Sequence, residues 1–221
     1  MRRFIQMCGV GVVLAIALAA LAASAGGAAA QDASIFGPNL VVNGDAEAGP
    51  GNPNAGDAAI APPGWTVNGP FTVAQYGGSG GLPATTDPGP VHRGRNFFAG
   101  GNSNAESSAR QLIDVGAGAA EIDTGAVKYK LYGYLGGYEN QGDHAIVSAR
   151  FEDANGRTLG STSIGPVTPA DRKNVTGLLL RGTSGAVPAR TRKVEVVITA
   201  TRSDGAYNDG YSDSIWLSLA K

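Results

Sequence analysis

Beyond residue 31 the chain alternates rather than cycles. Val194-Glu195-Val196-Val197-Ile198-Thr199 and Ile215-Trp216-Leu217-Ser218-Leu219 carry apolar or β-branched residues at every second place. That is the period at which side chains on an extended backbone return to one face. The same signal marks Tyr129 to Leu135, Ala145 to Phe151, Thr158 to Ile164 and Val175 to Leu180. In the first half it marks Leu40 to Val42, Trp65 to Val73, Asn96 to Phe98 and Ala109 to Val115. No window keeps an i, i+3, i+4, i+7 apolar stripe for three turns, so no substantial helix is expected. Asn155-Gly156 between two runs predicts a hairpin, because a tight turn needs positive φ and glycine adopts it without steric cost. About eight to ten short strands at this spacing predict an all-β fold, an antiparallel β-sandwich.

The stretches 49–63 and 77–90 are rich in Pro, Gly and Ala. Neither flank carries enough strands for a core of its own, so both are expected to be long loops within one domain over residues 31–221. If successive strands run antiparallel, the connections at 136–143, 166–173 and 202–210 emerge at one end of the sandwich. That end would gather Tyr138, Asn140, Gln141, Asp143, His144, Asp171, Arg172, Asp204, Tyr207, Asn208 and Asp209.

The first thirty residues change the picture of where the chain works. Arg2 and Arg3 precede an apolar run from Cys8 to Ala23, and small residues follow. Charge, a short apolar segment and a slim backbone are the ordered parts of a secretory signal. Cuts after Ala25 or Ala30 fit, and the second gives the expected signal peptide 1–30 and a secreted protein in the extracellular space, at the cell surface or in the periplasm. Cys8, the one cysteine, departs with that segment, leaving a mature chain without a disulfide. Loss of Arg2 and Arg3 takes the basic residues from 17 to 15 against 18 acidic ones. A mildly acidic chain is no footprint for nucleic acid or anionic lipid. No second apolar stretch after residue 31 has the length of a membrane span.

Two segments carry the most specific information. One is Asn39-Leu40-Val41-Val42-Asn43-Gly44-Asp45-Ala46-Glu47-Ala48-Gly49, with Pro63-Gly64-Trp65 further on; the other is Asn208-Asp209-Gly210-Tyr211-Ser212-Asp213-Ser214-Ile215-Trp216-Leu217-Ser218-Leu219. Together they resemble the opening and closing segments of bacterial secreted carbohydrate-binding modules with the galactose-binding-like jelly-roll fold. Phe97-Phe98-Ala99-Gly100-Gly101, Gln111 to Val115 and Leu135 to Tyr138 extend the likeness, which covers nearly all of residues 38–219. The resemblance implies a sandwich that binds carbohydrate without catalysis. It also implies a structural Ca²⁺ joining the first and last strands, held by Glu47 and Asp213 with Asp45 as an addition. Hard oxygens on turn-forming segments suit that ion. Ala46 stands where the pattern has Phe, which removes an apolar anchor beneath the loop.

By period two, Asp213, Ile215, Leu217 and Leu219 share the inward face of the last strand, and Trp216 lies opposite, where it can stack on a sugar ring. Tyr132 and Tyr134 share a face opposite Leu131 and Leu135, and cross-strand packing is their expected use. Trp65 is expected in the core. Candidate ligand contacts are Tyr138, Asn140, Asp143, Asp204, Tyr207, Asp209 and Trp216. His92 and His144 sit in no metal-ligand spacing, and no G-x-S-x-G elbow occurs, so the expectation is not an enzyme. A structural or adhesive sandwich that binds extracellular proteins, with no sugar site, is the alternative.

Overall fold

The computed structural model describes Met1 and residues 34–221. The expected signal peptide lies outside the described residues. The elements are β1 (Asn52–Asn54), β2 (Thr66–Asn68), β3 (Thr72–Ser79), β4 (Asn96–Ala99), β5 (Gly101–Asn102), β6 (Glu106–Asp114) and the one-turn helix α1 (Ala119–Asp123). They continue with β7 (Lys128–Gly137), β8 (His144–Glu152), β9 (Thr158–Ile164), β10 (Gly177–Ala186), β11 (Lys193–Thr201), β12 (Tyr207–Asn208) and β13 (Tyr211–Ala220). A six-stranded sheet of order β1-β3-β4-β13-β7-β10 packs on a five-stranded sheet of order β2-β6-β11-β8-β9. β12 and β5 form a separate ribbon. The sandwich is antiparallel apart from β1, which pairs parallel with β3.

Alternation places the core where the pattern predicts. Val194, Val196, Ile198 and Ala200 of β11 face Leu131 and Leu135 of β7 and Ile215, Leu217 and Leu219 of β13 across the two sheets. Trp65 is buried among them, its ring edge-on to Phe98 at 5.6 Å, with Nε1 donating to the Asn43 carbonyl at 3.2 Å. Ala46 is buried with φ +60°, so the turn closes without the aromatic anchor.

Three local expectations are corrected. Residues 65–73 do not form one strand: Gly69 (φ +70°) and Pro70 break the run, sending β2 to one sheet and β3 to the other. Leu40 to Val42 are not a ladder strand, because the Asn39 side chain takes the ladder's place. Its Nδ2 donates to the Ile215 carbonyl, and its Oδ1 accepts from the amides of Val41 and Leu217. The chain then turns at Asn43 (φ +50°). The short helix α1 exists because one buried residue, Ile122, anchors it, which is too little to leave a periodic trace.

The long loops have a purpose that alternation alone does not reveal. Tyr76, Phe97, Leu178 and Tyr211 form a second apolar cluster on the outer face of the six-stranded sheet, and Ala55 and Leu82, from the two Pro/Gly-rich loops, complete it. The loops are lids over half of that face. The other half carries Tyr132 and Trp216, both half-buried.

Candidate functional site

Three connections converge at one end of the sandwich, those through 138–143, 165–176 and 202–210. Asp143 is the hub, at 0 % exposed. Its Oδ1 accepts the backbone amides of Ser203 (2.7 Å) and Asp204 (2.9 Å), and its Oδ2 that of Asp209 (2.9 Å). Arg172, also buried, donates through Nη1 to the carbonyls of Glu139 and Val175 and through Nη2 to that of Gln141. A carboxylate and a guanidinium therefore pin the three loops together. Asp143 is corrected from a ligand contact to an internal brace, since both of its oxygens are occupied and no part of it reaches solvent.

The remaining loop candidates fall into two groups. Asn140 and Asp204 are exposed at the rim, where Asp204 accepts the Gly142 amide at 3.1 Å. Tyr138, Tyr207 and Asp209 line one cleft of about 230 Å³ with Gln141, Gly81 and Gly205. Gly81 (φ +88°) is needed there, because a Cβ would meet the Tyr138 ring at 3.0 Å. Asp209 is buried; burial, then the nearby Asp143 charge, pushes its pKa up to about 6, against the Tyr211 hydroxyl donated to its Oδ1 and the Arg172 charge. Burial also pushes the Tyr207 phenol up, with the Asp209 charge adding to it.

The open half of the six-stranded sheet holds a larger cleft, of about 430 Å³, lined by Asn39, Asp45, His92, Tyr132, Ser214 and Trp216 among others. Trp216 of β13 and Tyr132 of β7 are cross-strand partners with parallel rings, 5.7 Å between centroids and 7° between planes. Across the next strand Tyr132 faces Gly182 of β10, which has no side chain to cover the ring. Asn39 and Asn43 are committed to backbone groups. Asp45 and His92 are exposed at the same cleft. Tyr132 was legible as an outward aromatic, but its place beside Trp216 needed the register of β7 against β13. His92 carried no usable signal.

The carboxylates expected to hold a cation are only partly brought together. Asp213 does not share the inward face with Ile215. Ser214 (φ +53°) forms a bulge, and Asp213 pairs with Tyr134 while Trp216 pairs with Tyr132, two residues opposite one. The alternation slips by one place, so Asp213 joins Tyr211 on the outer side. There it is 0 % exposed, accepting the Tyr76 hydroxyl at 2.8 Å and the Ser214 amide. Burial, augmented by the Asp45 charge, pushes its pKa up to about 8, against the hydrogen bonds from Tyr76 and Ser214. Glu47 is engaged on one oxygen: its Oε1 accepts the amides of Arg95 (2.8 Å) and Asn96 (2.6 Å). Among the described residues no group of three or more His, Cys, Asp or Glu side chains is placed to hold a metal ion.

No protein-family model matches the chain, and no curated protein matches it in sequence. Several solved structures resemble it in fold, most of them carbohydrate-binding modules. The CBM22-1 xylan-binding domain from Paenibacillus barcinonensis Xyn10C has 13% identity and a TM-score of 0.41, over 76% of this chain and 91% of that one. The C-terminal family 22 carbohydrate binding module of Clostridium thermocellum Xyn10B has 12% identity and a TM-score of 0.38, over 72% and 88%. The enzymatically active domain of bacteriophage CBA120 tailspike protein 4 has 15% identity and a TM-score of 0.45, over 82% of this chain. The chain spans only 21% of that tailspike structure. Likeness at this level assigns no ligand. Among the described residues no helix is long and apolar enough to cross a membrane.

Proposed function

We propose that the protein is a secreted, non-catalytic carbohydrate-binding module that holds a sugar ring at the Tyr132–Trp216 cleft. The observation that carries this reading is the aromatic pair on the half of the sheet left open by the loops. The two rings are half-buried, so each keeps part of its apolar surface in water on the outer sheet face. A pyranose has an apolar C–H face that suits such a ring, and hydroxyls at its edge that need hydrogen-bonding groups. Asp45 and His92 stand at the rim with side chains exposed, able to meet those hydroxyls. The dimensions fit a small, orienting site with few polar groups around an apolar wall. The non-catalytic part of the reading is supported by Asp143, whose carboxylate is taken up by the amides of its neighbouring loop.

Trp216→Ala is expected to weaken binding of the preferred glycan by roughly tenfold or more, about 1.4 kcal/mol, with Tyr132→Ala close behind. An array of glycans identifies the ligand, and calorimetry on the variants measures the loss, with melting curves showing that both remain folded. A wild-type protein silent on every glycan, or a Trp216→Ala protein that binds unchanged, rejects this site. Retention of matrix proteins by the silent protein favours the adhesive alternative.

Calcium belongs to the same proposal, in a reduced form. Asp45 and Glu47 Oε2, with carbonyl oxygens of the adjoining turns, are the oxygens left for a cation, and Asp213 joins them by exchanging its hydrogen bonds from Tyr76 and Ser214 for the ion. A buried carboxyl held near neutrality is one that a cation stabilises in place of a proton. Its pH dependence supplies the test given below.

A further inference from the structure

The loop-end cleft offers unmatched acceptors beside aromatic surface. The Gln141 amide oxygen is buried without a hydrogen-bond partner, an expensive state for a polar atom. Asp209, buried on the same cleft, accepts the Tyr211 hydroxyl on Oδ1 only, leaving Oδ2 unmatched among the side-chain hydrogen bonds. Tyr138 and Tyr207 form the aromatic part of the lining; the Glu139 carboxylate chiefly pushes the Tyr138 phenol up and burial chiefly that of Tyr207, with the Asp209 charge adding to each. The lining carries one carboxylate, Asp209, and no Lys, Arg or His side chain, while the charges of Asp143 and Arg172 act on Asp209 from beside it. The Arg172 Nη atoms are bound to the carbonyls of residues 139, 141 and 175, with its Nε buried and unpartnered, and Arg202 donates to the Gly205 carbonyl. The surplus is negative, and the space is small, about 230 Å³.

We propose that this cleft binds an ammonium group against Tyr138 and Tyr207, with Asp209 and the Gln141 amide oxygen as its counter-groups. A cation over a tyrosine face gains from the ring quadrupole, and more so where water is thinned by neighbouring walls. A primary ammonium also donates three hydrogen bonds, which matches the unpaired acceptors. The group is carried either by an amino sugar or by a small free amine. The site shares no residue with the Tyr132–Trp216 cleft, so each fails or stands separately.

The test is a titration followed by amide NMR shifts at constant ionic strength, with glucosamine, tetramethylammonium, N-acetylglucosamine and glucose as probes. Saturable shifts confined to residues 80–81, 138–141 and 205–209 are expected from glucosamine, tetramethylammonium or both, and none from glucose or N-acetylglucosamine. A response to glucosamine alone assigns the amino sugar; a response to both assigns the ammonium group itself. Tyr138→Leu is expected to weaken the response by about fivefold, while Tyr138→Phe keeps it. Asp209→Asn should weaken it further, and the Tyr138 pair decides the matter if that variant unfolds. No saturable shift with either cation, equal shifts with glucose, or equal behaviour of Tyr138→Leu and Tyr138→Phe overturns the site.

Discussion

Asp143→Ala lowers the unfolding free energy by about 3 kcal/mol, the largest loss expected from a single side chain at the loop end. The carboxylate is fully buried and accepts three backbone amides, two on one oxygen and one on the other. Alanine leaves all three N–H groups without an acceptor, each worth about 1–3 kcal/mol if it stays buried. The total is held down because residues 203 and 204 lie at the exposed rim and can turn to water. Asp143→Asn keeps the oxygen facing Ser203 and Asp204 but presents an NH₂ to the Asp209 amide, donor against donor. Its loss is therefore intermediate, about 2 kcal/mol. Urea unfolding measures both, and hydrogen exchange at residues 203, 204 and 209 should quicken. A change under about 1 kcal/mol for alanine removes Asp143 from its place as the brace.

With a chelator present, the protein loses stability as the pH rises from about 4 to 8. Two buried carboxyls cause this: Asp209, pushed up to about 6, and Asp213, pushed up to about 8, both chiefly by desolvation. Each ordinarily ionises near 3.8, so between that value and the raised one the folded chain holds protons that the unfolded chain has released. Stability falls with rising pH wherever the folded state binds more protons, and each tenfold in dissociation constant is about 1.4 kcal/mol. The full stabilisation is present below the unfolded value and is gone once pH passes the folded one. Asp213→Asn, neutral at every pH, should flatten the part of the decline above pH 6. Excess calcium should flatten it too in the parent protein, because the cation stabilises the ionised form. Melting curves across pH, with calcium and with chelator, separate these cases. A parent protein whose chelated stability is flat or rising over this range contradicts the buried carboxyls. Superimposable calcium and chelator curves reject the cation.

The positions that alternation placed well are those governed by one sheet at a time. Ile215, Leu217 and Leu219 face the core and Trp216 faces out, as a strand of period two requires. Leu131 and Leu135 face inward against Tyr132 and Tyr134 for the same reason. The resemblance carried by the opening and closing segments pointed to a sandwich, and the sheets have that form. It did not foresee that Glu47 would be taken up by the amides of residues 95 and 96. That contact joins positions nearly fifty residues apart, and no local pattern encodes it. Asp213 was misplaced because the inference ran alternation through Ser214, and a bulge has no signature there without glycine. The loop acids were misjudged similarly: Asp143 and Asp204 look alike in a polar run, yet one is a buried brace and the other an exposed rim group.

The sequence by itself determined the layered architecture, since alternation is a local property and each pleated face must be buried against something. It also determined which end gathers the polar loops, because strands that alternate in direction return their connections to the same side. Only the tertiary structure decided which side chains remain available to a ligand. Availability depends on what crosses over a residue, and the segments that cover Tyr76 and Tyr211 while leaving Tyr132 and Trp216 half-buried come from distant parts of the chain. Desolvation follows that covering, so the raised Asp209 and Asp213 carboxyls belong to the folded arrangement and to no segment of the chain alone.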